Sequence, residues 1–459
     1  MRVVLMVAFY FPPVGGLAAA GSQRAVRFAR HLPAQGWRPV ILTARQSSYQ
    51  PYLTMDSGLL AGVPETATVV RTRVVRGLVP LLRLKGVVSR LLQRRGPTPL
   101  QPQAPPPTTT SLPRGRYQGW KDAFTDLFEI PDDEIGWLLP AVVAGLEAVR
   151  RDRVDVIYAT GRPWTALLVG LVLKRLTGRP LVVDFRDPWM TNPFRLEYTP
   201  FRNRLETALE RKVVEGADLL VANTEHLRDE FGARFGERVR GKCVTIPNGF
   251  DPDELEGVTR GDNDRKRRIF RLTHTGFLYG KRDPRAVLDG IKLLQDRGVL
   301  QSGQLECELV GPIELSYDLG TYLHARRLDH LVIRRGPVSH AESLACLAAC
   351  DVALLLQPGT DTQIPSKLFE YIGMGKPVLA VARKGSAVAN MVAEHGLGEV
   401  ADAEDVEGIA DAIHRSYRLW ASGGTPAVPA EALTKFDIRS LAGTLAAAMD
   451  RLARERTGR

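Results

Sequence analysis

Apolar runs of seven to nine residues recur along this chain with helical patterns between them, and that alternation leaves few folds open. A first set comprises RVVLMVAFY (2–10), RPVILTA (38–44), VDVIYAT (154–160), RPLVVDF (179–185), ADLLVAN (217–223) and KCVTIPN (242–248). A second set starts again with RLTHTGFL (271–278), LECELVG (305–311), HLVIRRG (330–336), DVALLLQ (351–357) and KPVLAVA (376–382). Helical patterns lie between them, for example at 22–35, 284–297, 341–350 and 403–418. Strands that are apolar along their whole length are buried on both faces, which calls for parallel sheets with crossover helices. The polar stretch DPDELEGVTRGDNDRKRR (251–268) separates the two sets and reads as a connection. With 459 residues, 44% of them hydrophobic, the chain can bury two cores. The expected fold is therefore α/β, two doubly wound Rossmann-like domains facing each other across a cleft. Ligand sites are expected at the carboxyl ends of the strands.

One stretch accounts for the net charge of +11. From Thr66 to Lys121 there is no Asp or Glu but eleven Lys and Arg residues, so the rest of the chain is balanced. Within it lie LVPLLRLKGVVSRLLQRR (78–95) and a Pro-rich linker, GPTPLQPQAPPPTTTSLP (96–113). Two readings stand: residues 71–95 lie on an anionic membrane surface, or the stretch is a solvated insertion. Nucleic acid is not an expected partner, since no zinc-ligand spacing, RNA-binding aromatic signature or helix-turn-helix accompanies the charge. The apolar run WTALLVGLVL (164–173) is too short to span a membrane and reads as a buried helix. The N-terminus imitates a secretory leader but has a single Arg before Pro12-Pro13, and reads as a strand followed by a loop. The four cysteines make no paired framework, which fits a reducing cytoplasm.

Function has to be sought in the loops. After the first strand come Gly15 and Gly16, then a helix expected from about Ser22; paired glycines let backbone approach a ligand. The spacing is not Gly-x-Gly-x-x-Gly, so a dinucleotide cofactor is not expected. In the second half, TGFLYGKRDP (275–284) offers Gly276, Gly280, Lys281 and Arg282, and Arg suits a diphosphate through paired hydrogen bonds. In IPSKLFEYIGMGKPVLA (364–380), Pro365 suits the first position of a short helix whose free amides and dipole attract phosphate. Lys367 adds a charge and Glu370 shares its face, so one ligand could present phosphate to the lysine and hydroxyls to the carboxylate. The simpler reading is a Lys–Glu ion pair on an ordinary crossover helix. Gly373, Gly375 and Pro377 end that helix.

Taken together, FPPVGG (11–16), IPDDEIGW (130–137), ATGRPW (159–164), VVDFRDPW (182–189), IPNGFD (246–251), TGFLYGKRDP, PVSHAES (337–343) and IPSKLFEYIGMGKPVLA resemble glycosyltransferase family 4, which has the GT-B fold, and in particular its bacterial polysaccharide-biosynthesis branch. The resemblance implies transfer of a sugar from a nucleotide-sugar donor with retention of configuration and without a metal or other cofactor. It places Arg282, Lys367 and the helix start at Pro365, Ser366, Lys367 and Leu368 on the diphosphate, Glu370 on the ribose hydroxyls, and Val338, Ser339 and His340 beside the base. Gly16 falls near the diphosphate and acceptor. The first glutamate of the common family pair is replaced by Thr362, and the strand-end His of many relatives by Arg186. Asp187, with Asp184 as the alternative, is the carboxylate expected to act at the acceptor; a buried Asp–Arg pair ordering the loop is the competing role.

The expected domains are 1–248, acceptor-side, with the basic insertion 66–121; 249–425, nucleotide-sugar-binding; and a helical segment 426–459 returning to the first domain. The acceptor is expected to be a saccharide or lipid-linked, at the inner face of the cell membrane. Asp251/Asp253 and Asp262/Asp264 form Asp-x-Asp triplets, but they lie in a polar connection and are not expected to hold a metal. A nucleotide-sugar 2-epimerase, or a non-catalytic relative that only binds the sugar nucleotide, are the alternatives on the same architecture.

Overall fold

The structure, a computed structural model, describes residues 1–459 except 52, 54, 77–128, 194, 257, 259–268, 302, 425–426 and 458–459, with side chains at 16–21 and 456–457 also set aside. Most of the basic stretch, the Pro-rich linker and Asp262/Asp264 therefore lie outside the described residues.

Two compact units divide the chain. The first contains Met1–Ala222, Phe231–Val244 and the chain from Ala446 onward; the second contains Asn223–Glu230 and Thr245–Leu445. The segment 426–459 is thus shared. Phe436 packs edge-on against Phe369 at 5.5 Å within the second unit. Asp450 accepts a hydrogen bond from the Trp37 indole at 3.2 Å and pairs with Arg2 within the first.

The first unit is built on a parallel sheet of β1 (Arg2–Val7), β2 (Trp37–Ala44), β3 (Thr68–Thr72), β4 (Val156–Gly161), β5 (Leu181–Phe185), β6 (Leu219–Ala222) and β7 (Cys243–Thr245), in the order β3-β2-β1-β4-β5-β6-β7. The second has β8 (Phe270–Thr275), β10 (Leu305–Val310), β12 (Val332–Arg335), β13 (Val352–Gln357), β14 (Val378–Ala382) and β15 (Gly398–Ala401), in the order β12-β10-β8-β13-β14-β15. A small parallel pair, β9 (Leu278–Tyr279) and β11 (Ile313–Glu314), sits in the loops beyond β8 and β10.

The continuous apolar runs are explained by burial on both faces. Along β13, Val352, Leu354 and Leu356 join one core with Val287, Leu288 and Ile291 of the helix Arg285–Asp296. Ala353 and Leu355 point the other way and join Leu368, Phe369 and Ile372 of the helix Ser366–Gly373. Helix termini are closed locally. Gly375, at φ 67°, lets the amides of Gly375 and Lys376 turn back to the carbonyls of Ile372 and Tyr371, and the Lys376 ammonium satisfies the carbonyls of Ala348 and Cys350.

The structure departs from the sequence reading in the elements that follow. β3 lies inside the stretch assigned to a basic insertion, and β15 was not expected; both are short edge strands with half-buried side chains. The first helix starts at Gly16, directly after Gly15, and runs to His31 instead of starting near Ser22. Pro365 caps the helix Ser366–Gly373 in an extended conformation instead of occupying its first turn. The run 164–173 is a buried helix, as expected, and no helix among the described residues is long and apolar enough to cross a membrane.

The turns after β8 and β10 touch: Gly311 has φ 126°, and a Cβ there would stand 2.3 Å from the Gly276 carbonyl. Gly311→Ala is expected to cost about 1–3 kcal/mol in urea unfolding; a neutral substitution would show that the turn relaxes freely.

Candidate functional site

Each sheet reverses its strand order once, between β1 and β4 in the first unit and between β8 and β13 in the second. Chain leaving such strands crosses to opposite faces, which opens a crevice at their carboxyl ends.

In the second unit, β8 and β13 pair only at Leu272↔Val352 and Thr273↔Ala353, so the crevice reaches down to His274 and Leu354. Arg282, from the turn after β8, donates to Gln357 Oε1 at 3.0 Å, and Gln357 in turn donates to Thr360 at 2.8 Å. The guanidinium also lies 5.4 Å from the Tyr279 ring. A Cβ at Gly359 would meet the Lys281 side chain at 2.8 Å, so the two loops pack directly on each other. Lys367 pairs with Glu370 at 2.7 Å; Glu370 is only 5% exposed. The ion pair of the simpler reading therefore exists, but with its carboxylate inside the protein. The amides of Ser366 and Lys367 precede the first hydrogen bond of their helix, Leu368 N–H to the Pro365 carbonyl at 3.1 Å. The chain thus brings Arg282, Pro365, Ser366, Lys367, Leu368 and Glu370 together on the loops that follow β8 and β13.

Val338, Ser339 and His340 follow β12, with Val338 half-buried and the other two exposed. Ser339 is engaged in a capping box: its hydroxyl accepts from the Glu342 amide at 3.2 Å, and the Glu342 carboxylate takes the Ser339 amide at 2.8 Å. The pattern S-x-x-E announced this in the sequence. Thr362, which stands in place of the family glutamate, gives its carbonyl to the Thr224 hydroxyl. Asp251 caps the short helix Pro252–Leu255, and Asp253 pairs with Arg439.

Reasoning from the sequence missed His274, Gln357 and Tyr371. All three interrupt or end apolar segments, which was the available signal. The Tyr371 hydroxyl lies 3.4 Å from both the Leu354 carbonyl and the Thr275 amide.

In the first unit, Gly16 opens the first helix directly after the turn that follows β1. Asp184, at the end of β5, is fully buried and accepts from Arg24 Nε at 2.9 Å and Nη2 at 3.1 Å, from Tyr158 at 2.5 Å and from Thr160 at 3.0 Å. Burial, reinforced by this carboxylate, pushes the Tyr158 phenol well above its usual range, so it stays a donor. Asp184 is therefore a structural tie to the first helix, and its main partner is Arg24. Arg186 instead donates to the carbonyls of Gly161, at 2.7 Å, and Arg162, fastening the turn after β4. Trp164 and Trp189 stack at 5.0 Å between the same two turns. Asp187 is half-buried beside Arg186, whose guanidinium feels its charge.

The IPDDEIGW motif shapes the outer loops of this unit. Asp132 takes the amide of Thr165 at 3.0 Å and its hydroxyl at 2.7 Å. Glu134 lies in the same loop, 4% exposed, with Arg76 at 3.5 Å. Burial, opposed by Arg76 and helped by Asp132 and Asp133, pushes its carboxyl up to about 7.

Two stability measurements follow. Asp184→Ala strands a buried guanidinium and is expected to cost about 3–5 kcal/mol in chemical denaturation, most of it regained in the double variant Arg24→Met/Asp184→Leu; a cost below about 1 kcal/mol would show that the pair does not hold the fold. For Glu134, the folded state binds more protons than the unfolded state between pH about 4.5 and about 7, so wild-type stability falls as pH rises through that window. Glu134→Gln is expected to flatten that slope, and an unchanged slope would place the buried charge elsewhere.

The Glycosyl transferase 4-like domain family matches residues 20–249. A D-inositol 3-phosphate glycosyltransferase of Paenarthrobacter aurescens (strain TC1) is 23% identical over 301 residues, 63% of this chain and 71% of that one. Among solved structures, Anabaena Alr3699/HepE in complex with UDP and glucose superposes with a TM-score of 0.59 at 16% identity, over 98% of this chain and 100% of that one. A glycosyltransferase from Rickettsia africae ESF-5 gives 0.59 at 11% identity, covering 98% of each. These neighbours share the two parallel-sheet α/β units of the GT-B fold. The chain belongs to the glycosyl transferase 4-like family, and is a glycosyltransferase of GT-B type.

Proposed function

We propose that the chain is a retaining glycosyltransferase that moves a sugar from a nucleotide-sugar donor to a saccharide or lipid-linked acceptor, in polysaccharide or glycolipid assembly, without a metal. The observation that carries this reading is that the Arg282–Gln357 contact and the Lys367–Glu370 pair stand on the chain that follows β8 and β13, with Arg282 and Lys367 both close enough to act on His274. Support also comes from HepE, which was solved with UDP-glucose.

In this reading the donor diphosphate lies against Arg282, Lys367 and the amides of 366–368, Glu370 holds ribose hydroxyls, and Val338, Ser339 and His340 flank the base. When the bond from the sugar to the phosphate oxygen breaks, that oxygen keeps the electron pair. The cations and amides then gain interaction energy in the transition state, which is where it lowers the barrier. Gly16 and Asp187 belong to the acceptor side, Asp187 being the carboxylate beside the acceptor hydroxyl.

Calorimetry with UDP, GDP, dTDP and ADP in EDTA tests the reading. One nucleotide is expected to bind, and Arg282→Ala and Lys367→Ala each to weaken it by about 1.5–3 kcal/mol, the range for hydrogen bonds to charged groups. Binding that ignores both substitutions would move the donor elsewhere, and binding that appears only on adding Mg²⁺ would end the metal-free reading.

A further inference from the structure

His274 is the next-to-last residue of β8, at the point where the ladder to β13 stops. Its Nδ1 lies 3.0 Å from the Leu354 carbonyl. A carbonyl only accepts, so Nδ1 carries the proton and Nε2 is a bare lone pair. Nε2 is buried and has no hydrogen-bond partner among the described residues. It faces the Gly276 turn, where an added Cβ would stand 3.6 Å away.

The polar groups around the ring come from three elements. Arg282, on the turn after β8, and Lys367, on the helix Ser366–Gly373, both act on it. Glu370 of that helix is taken by Lys367, and the Tyr371 hydroxyl shares the Leu354 carbonyl. On β13, Gln357 is taken by Arg282, while Glu308 of β10 pairs in register with Thr273 on the opposite face of the sheet and is taken by Arg335. Burial, then the two cations, hold the free imidazole down to about 4, so it is neutral near pH 7.

We propose that His274 takes up a proton from solvent when a nucleotide sugar binds in this unit, its Nε2–H then donating to a phosphate oxygen. The inference rests on the donor reading above. A bare nitrogen beside a phosphate would set lone pair against lone pair, whereas a proton turns the contact into a charge-assisted hydrogen bond. Two negative charges placed against Arg282 and Lys367 also offset the two cations that add to burial in keeping the ring neutral. His274 is thus a further donor ligand, one that is uncharged until the ligand arrives.

The test is calorimetry at pH 6 with UDP-glucose, GDP-mannose, ADP-glucose and dTDP-glucose, in two buffers of different ionisation enthalpy. Their diphosphate diesters do not titrate near neutrality, so proton uptake reports on the protein. Between about half and one proton per site is expected to be taken up, falling toward pH 8, and His274→Gln is expected to bind with none. Binding without uptake, or uptake that persists in His274→Gln, would overturn the inference while leaving the donor reading standing. Binding by none of the four would overturn both. Should His274→Gln fail to fold, nitrogen-15 spectra of the wild-type imidazoles decide: one ring is expected to pass from the Nδ1–H tautomer to imidazolium on adding the nucleotide sugar, and no such change would refute it.

Discussion

Parallel pairing brings every strand of a sheet to the same edge with its carboxyl end, and the chemistry of this chain depends on that constraint. In each unit the first strand stands in the middle, with later strands added on both sides. The crossover helices therefore diverge to opposite faces at one place, where the ladder between β8 and β13 has already stopped. The two-residue ladder between those strands is what leaves room for an imidazole, a phenol and a glutamine side chain at the sheet edge. Arg282 and Lys367 reach the same place because the loops that carry them leave from these two strands.

The strands of both sheets were legible because they do not alternate. A run such as VALLLQ must bury both faces, and the structure divides it between two cores, Leu354 and Leu356 on one side and Ala353 and Leu355 on the other. Edge strands lack that signal. TVVRT at β3 is half-buried and carries an Arg within a stretch dominated by cations, while GEVA at β15 is four residues long and begins with glycine. Helix starts were read less well than strands. Glycines after β1 suggested a longer loop, but the alanines that follow are good helix formers, and the helix begins at Gly16 itself.

The site residues divide by the range of their partners. Lys367 and Glu370 are three positions apart on one helix, so their pairing could be read from the sequence. Asp184 and Arg24 are 160 positions apart, and only the fold brings them together. Asp184, His274 and Gln357 share a signature, a polar residue near the carboxyl end of an apolar strand. That signature places a residue near a crevice without saying whether it serves the ligand or the scaffold. For Asp184 the four donors around it decide in favour of the scaffold.

The same accounting of partners bears on what the second unit can recognise. Arg282 is held by a neutral amide, which exerts no charge–charge attraction, so its guanidinium can turn toward an anion at small cost. Lys367 is held by a carboxylate that is nearly enclosed, and that partner cannot retreat into water when the lysine turns away. A buried carboxylate left without a donor is costly. Under the donor reading, a diphosphate alone would take Lys367 and leave Glu370 unsatisfied, whereas a ligand with hydroxyls beside its phosphates replaces the lysine with new donors. In that reading the ion pair couples recognition of the anion to recognition of the hydroxyls next to it, and would select for the combination that a nucleotide carries.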